Sequence, residues 1–201
     1  MNYLKLSIYL GLLALVVGTS SCKSEAEKRL EQSVLSTKLF QHQDRGWKAN
    51  RIMNFTQQIQ YRATEVPIEY YLLKNQGLED VQVFDSVALA NNTERIIEFE
   101  FEHIESDDLL IEEYTSKTYD DSVIYMAGTI KDDFYAITSN NDTIPCLGVH
   151  FERHFKVSSF KRVLLYFGGV DPDETIKIVY QDRLFGQGTF EFDFGNIPIK
   201  L

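Results

Sequence analysis

Between Ile97 and Glu102 the chain alternates without a break: Ile97, Phe99 and Phe101 are apolar, while Glu98, Glu100 and Glu102 are acidic. A strand turns successive side chains to opposite faces, so this stretch can bury one face and wet the other. A helix, with its longer period, cannot. The same period of two recurs elsewhere. Phe55, Ile59 and Tyr61 fall on one parity, as do Ile176, Ile178 and Tyr180, and then Phe190, Phe192 and Phe194. Val149, Phe151, Phe155 and Val157 alternate with His150, Glu152, His154 and Lys156. Turn-forming clusters separate these runs: Lys131-Asp132-Asp133, Ser139-Asn140-Asn141-Asp142 and Gly168-Gly169. Short strands about ten residues apart predict an all-β sandwich or barrel, and their irregular lengths favour the sandwich. Val81–Leu89 and Val123–Ile130 read as further strands, and Val66–Leu73 as a strand with a helix as the alternative.

Such a fold must stand on its apolar core. Hydrophobic residues make up 44% of the chain and aromatics 13%, enough for one packed domain and too much for a disordered acidic tail. Two cysteines, Cys22 and Cys146, leave little scope for disulfide support. The 30 acidic against 20 basic residues, a formal charge of -10, argue against nucleic acid as a partner, since that recognition starts from a basic face. Fourteen Phe and 11 Tyr exceed what a small core needs, which suggests an exposed Tyr-lined patch for a protein or glycan partner.

The N-terminus points to a membrane. Lys5 precedes an apolar run over residues 6–17, LSIYLGLLALVV, which as a helix covers only about 18 Å of a ~30 Å hydrocarbon core. That length suits the apolar segment of a secretory signal. Gly18, Thr19, Ser20 and Ser21 then lead into Cys22. Small residues directly before a cysteine resemble a bacterial lipoprotein signal with a relaxed, Bacteroidota-type lipobox, in which Thr19 departs from the usual Leu-like residue. The resemblance implies cleavage after Ser21, acylation of Cys22 and attachment to the outer membrane. The organisation expected is a signal peptide over 1–21, a lipidated helical or flexible tether over 22–50, and a sandwich domain over 51–201. Ser24 and Glu27 open the tether with the spacing of a capping box.

Toward the C-terminus, FKVSSFKRVLLYFGGVDPDETIKIVYQD over residues 155–182 is similar to the second half of extracellular Ig-like domains of bacterial lipoproteins. An apolar strand ends in an aromatic, a Gly/Pro/Asp turn follows, and a strand of the form I-x-I-x-Y closes the pattern. The resemblance implies an Ig-like sandwich and no particular activity.

Chemistry-bearing residues are few. His150, Glu152 and His154 would share one strand face at a spacing of about 6.6 Å, a set able to hold a divalent metal. Asp171, Asp173 and Glu174 offer hard oxygen ligands for calcium. Cys146 beside Pro145 reads as a small buried side chain more readily than a nucleophile. Ser86, Ser122 and Thr143 follow Asp and precede an apolar residue, which resembles the O-glycosylation acceptor of Bacteroidota-type periplasms and requires all three to be exposed. No phosphate-cradling loop, G-x-S-x-G or H-E-x-x-H motif is present, and no cofactor is implied. The expectation is a non-catalytic, membrane-anchored interaction module. Its alternatives are a ligand- or metal-binding protein and a hydrolase whose site is assembled from distant loops.

Overall fold

The structure, a computed structural model, describes residues 24–44, 51–56, 58–75, 81–105, 108–153 and 159–195. In chain order the elements are helix α1 (Glu25–Asp44), strands β1 (Arg51–Phe55) and β2 (Ile59–Val66), and helices α2 (Ile68–Asn75) and α3 (Val81–Ala90). Strand β3 (Arg95–His103), helices α4 (Glu112–Thr115) and α5 (Tyr119–Ala127) and a 3-10 turn (Thr129–Asp133) follow. Strands β4 (Phe134–Thr138), β5 (Thr143–Pro145), β6 (Gly148–Glu152), β7 (Phe160–Phe167), β8 (Ile176–Asp182) and β9 (Gly188–Phe194) complete the series. All strand pairs are antiparallel, in a five-stranded sheet of order β1-β2-β3-β7-β6 and a four-stranded sheet of order β5-β4-β8-β9. The fold is mostly β, with two sheets face to face.

The alternation read in the sequence places the core. Phe99 projects from β3 into the gap between sheets, with its ring centroid 4.9 Å from Phe134, 5.3 Å from Tyr180 and 5.1 Å from Phe192 across that gap. Offset and edge-on aromatic pairs of this kind add to the area they bury. The outer face of β3 is less wet than the pattern suggests. Glu100 is buried because Arg62 on β2 and Arg162 on β7 clamp its two oxygens, each at 2.6 Å.

Helices replace strands at three predicted places. In α3, Val81, Phe84, Val87 and Ala88 recur at three- and four-residue spacing and face Leu35 of α1 and Leu72 of α2. This is a helical stripe, and its docking surface overrides the β-branched composition. In α2, Tyr70 turns the other way, onto Val66 and Ile96 of the five-stranded sheet, so α1, α2 and α3 form a layer over one end of its outer face. The supposed strand Val123–Ile130 is the end of α5 and the following turn. Thr118 caps α5 by accepting the Asp121 N–H at 3.2 Å, which fixes a helix where composition favours a strand.

The capping box at the start of α1 forms as the spacing requires. The Ser24 N–H donates to Glu27 Oε2 at 2.7 Å, and the Glu27 N–H donates to Ser24 Oγ at 3.2 Å. Residues 25–44 are therefore a helix, and Leu35 docks it on the helical layer. The turn 139–142 joins β4 to β5 through Asn141 at φ +66°, a left-handed conformation that asparagine tolerates.

Candidate functional site

The inner face of β2 carries Ile59, Tyr61 and Ala63, all buried, and then Glu65. On β3 the same parity runs Phe101, Phe99, Ile97 and then Arg95. Two opposite charges thus sit on the buried face at the same end of adjacent strands, and they pair. Arg95 Nη1 donates to Glu65 Oε1 at 2.8 Å, with the two side chains 5% and 1% exposed. Arg95 Nη2 donates to the backbone carbonyls of Glu174 at 2.8 Å, Asp171 at 3.0 Å and Pro172 at 3.2 Å. The guanidinium thereby ties the loop ahead of β8 to the opposite sheet.

The pair is incompletely satisfied. Glu65 Oε2 and Arg95 Nε are buried without a hydrogen-bond partner. Burial pushes the Glu65 carboxyl up to about 7, and the neighbouring Arg95 only partly offsets this. Taking a carboxylate out of water disfavours its charge more than one partner restores.

A cleft of about 320 Å³ opens beside this pair. Local sequence shapes its walls. Pro67 has no N–H, which suits the end of the β2 ladder, and its carbonyl accepts the Tyr71 N–H at 3.1 Å to open α2. That junction contributes Val66, Pro67 and Ile68. The opposite wall comes from the end of α3, with Ala88 and Leu89, the latter 71% exposed. Asn91 turns the chain from α3 toward β3, with its side-chain amide donating to the Val87 carbonyl at 2.7 Å. Glu69, Asn92 and Glu94 add the polar lining. An apolar cleft with a few converging polar groups is the usual form of a small-ligand site.

A second buried carboxylate, Asp182, lies at the far end of β8. It accepts the hydroxyls of Tyr61 and Tyr180 and three backbone N–H groups, so it leaves no gap for a ligand to fill.

The residues singled out in the sequence meet different fates. His150 is exposed on β6, and Glu152 lies two positions on, bound by Arg162 Nη1 at 3.2 Å; His154 lies outside the described residues. Among the described residues no three metal-ligating side chains gather. The loop of the calcium expectation, Asp171, Asp173 and Glu174, holds bonds of its own. Asp171 Oδ1 accepts the Asp173 N–H at 2.8 Å, Glu174 Oε1 accepts from the Asn140 amide, and three carbonyls of the loop surround Arg95. The guanidinium thus takes up backbone carbonyls of this loop and not its carboxylates.

Cys146 is buried, its Sγ donates to the Gly148 carbonyl at 3.1 Å, and burial pushes the thiol up, as befits a small core side chain. Ser86 is exposed on α3, with its hydroxyl donating to the Gln82 carbonyl at 2.8 Å, and Thr143 is exposed on β5. Ser122 fails the exposure requirement, because α5 turns it inward to 0% exposure, 2.9 Å from the Thr115 hydroxyl. The described tyrosines divide between core and surface. Tyr70 and Tyr180 are buried, Tyr71, Tyr114 and Tyr125 half-buried, and Tyr119 exposed. Cys22 lies outside the described residues.

Glu65 and Arg95 escaped the sequence reading, though a signal was present. Each is a charge on the parity that otherwise carries Tyr61 and Ala63 or Ile97 and Phe99, and the charges are opposite. Comparison with family models, curated proteins and solved structures finds no match for this chain.

Proposed function

We propose that this chain is a lipoprotein of the bacterial cell envelope, anchored in the outer membrane through acylated Cys22, whose Ig-like β-sandwich binds a partner and does not catalyse. The observation that carries the anchor is the order of residues 6–22: a short apolar run, then Ser20, Ser21 and a cysteine. Several acyl chains on one residue, at about 0.8 kcal/mol per buried methylene, hold a protein stably where one chain does so marginally. Among the described residues no helix is long and apolar enough to cross a membrane, and a net charge of -10 is repelled by anionic lipid. Lipid is the attachment this chemistry favours.

A ligand-binding role is favoured by the Glu65–Arg95 cleft. Its polar groups hold each other and a loop in place, which suits a fixed seat; an envelope protein or glycan remains the broader class of partner. The anchor is tested by the mass of the mature N-terminus together with detergent-phase partitioning. The parent chain enters the detergent phase with a triacyl- or diacyl-cysteine at its N-terminus, and Cys22→Ser stays in the aqueous phase. A Cys22→Ser chain that still partitions into detergent defeats the reading.

A further inference from the structure

We propose that the cleft beside Glu65 and Arg95 is a seat for a protonated primary amine carried on a short apolar body. The inference rests on the binding reading above, though not on the anchor. It starts from Glu65 Oε2, an acceptor in a side chain only 1% exposed and without a partner. An unmatched buried acceptor is costly, and a ligand that brings an N–H to it recovers that loss.

The sign of the ligand follows from the lining. Glu65, Glu69 and Glu94 bring three carboxyls to the cleft, and Arg95 is the one basic residue among its lining. The Arg95 charge already serves Glu65 Oε1 and three carbonyls. An anion entering here meets repulsion, while a cation meets the acidic groups of the lining, Glu65 among them.

The head group follows from how much of Glu65 is left. Oε1 is taken by Arg95, so a guanidinium, which pairs best across both oxygens of a carboxylate, finds only one. An ammonium is a compact charge that needs one oxygen. An alcohol donates the same single bond without the charge, and charged hydrogen bonds are about twice as strong. The body follows from the walls. Val66, Pro67, Ile68, Ala88, Leu89 and Pro172 offer carbon on several sides. The cleft volume of about 320 Å³ admits on the order of ten non-hydrogen atoms at ~30 Å³ each, the share of one water in the liquid.

Full-length protein in detergent, titrated with hexylammonium, hexanol and hexanoate and followed by backbone amide NMR, tests this. Equal chain length keeps partitioning into the micelle comparable. Hexylammonium is expected to shift the amides of Glu65, Leu89 and Asn92 and to bind about tenfold or more tightly than hexanol, with hexanoate weakest. Glu65→Gln keeps the shape and removes the charge, and is expected to bring hexylammonium down to the hexanol level. Leu89→Arg adds a cation at an exposed wall position without touching the core, and is expected to weaken hexylammonium severalfold even if Glu65→Gln should fold poorly. Equal affinity for the three probes, an unchanged affinity in Leu89→Arg, or shifts confined to amides away from the cleft overturns the proposal. Any of these leaves the broader binding reading, with a protein or glycan partner, in place.

Discussion

The two ends of the sandwich each bury a carboxyl on the inner face, and they treat it in opposite ways. At one end Asp182, 6% exposed, receives five donors. Oδ1 accepts from the Tyr180 hydroxyl at 2.9 Å and from the N–H groups of Leu184 and Phe185 at 3.1 and 2.9 Å. Oδ2 accepts from the Tyr61 hydroxyl at 2.8 Å and the Gln187 N–H at 3.1 Å. The tight loop from β8 to β9 closes around it, turned by Gly186 at φ +68°, a conformation glycine adopts at no steric penalty. At the other end Glu65 has one partner, Arg95, and one bare oxygen. A saturated polar network specifies a fold, and an unsaturated one spends stability on something else. On that ground Asp182 itself is architecture, although Asp133 near it buries a bare Oδ2 of its own, and Glu65 is the carboxyl beside which a ligand is proposed.

The contrast breaks most visibly at Asp182. Asp182→Ala leaves two buried tyrosine hydroxyls and three backbone N–H groups without their acceptor. At about 1–3 kcal/mol for each buried group left unmatched, partly relieved by entering water, a loss of about 4 kcal/mol or more is expected. Urea unfolding of the full chain measures it. A loss below about 1 kcal/mol would mean that the network is ornamental and that the two ends do not differ as argued.

How far the sequence reveals this contrast depends on the range of the signal involved. Period two is local, so Phe99, Phe101, Ile178 and Phe192 could be assigned to the core from their own neighbours. The capping box at Ser24 is equally local. The three misread helices show where locality ends. Val81–Ala90 becomes helical because Leu35 and Leu72 wait for Phe84, and that surface is assembled from distant chain. The candidate site has the same origin: Glu65 and Arg95 are 30 residues apart and meet only through the β2–β3 register. Their anomaly is nevertheless written in parity. In the loop 171–174 the sequence displays the acids, but not that the fold turns backbone carbonyls of the loop to Arg95.

A second effect sharpens the comparison through pH. Burial raises Glu65 from 4.5 to about 7 despite Arg95. Because the folded state holds this proton more tightly than the unfolded state does, stability falls as pH rises from about 4.5 to about 7 and then levels off. The shift corresponds to roughly 3 kcal/mol across that window. Asp133, raised from 3.8 to about 6, adds a slope of the same sign at lower pH. The difference between Glu65→Gln and the parent isolates Glu65. The groups that face it are Arg95, which holds Oε1, and Glu69 and Glu94, which line the same cleft. Relative to the parent, Glu65→Gln is expected to gain stability between pH 4.5 and pH 8, by up to roughly 3 kcal/mol. Denaturant midpoints across that range provide the readout. A difference that is flat with pH, or that grows in the parent's favour, would show that Arg95 satisfies Glu65 after all.

The smallest effect resolves the Asp182 end atom by atom. Tyr61→Phe keeps a ring that sits 5.8 Å from Tyr180 and 5.9 Å from Phe101, so the packing survives and one charge-assisted bond is lost. Oδ2 is then left with the Gln187 N–H alone, whereas in Tyr180→Phe Oδ1 keeps both Leu184 and Phe185. Both tyrosine hydroxyls are driven up by burial and by the Asp182 charge, so each remains a donor throughout the working pH range. The cost of removing either is therefore set by how many donors its oxygen retains. Tyr61→Phe is expected to lose about 1.5 kcal/mol and Tyr180→Phe about half of that, with the double variant losing more than the sum as Asp182 runs short of donors. Strict additivity in that cycle would mean that the five donors act independently. The Asp182 end would then be a collection of separate bonds, and its contrast with the Glu65 end would rest on number alone.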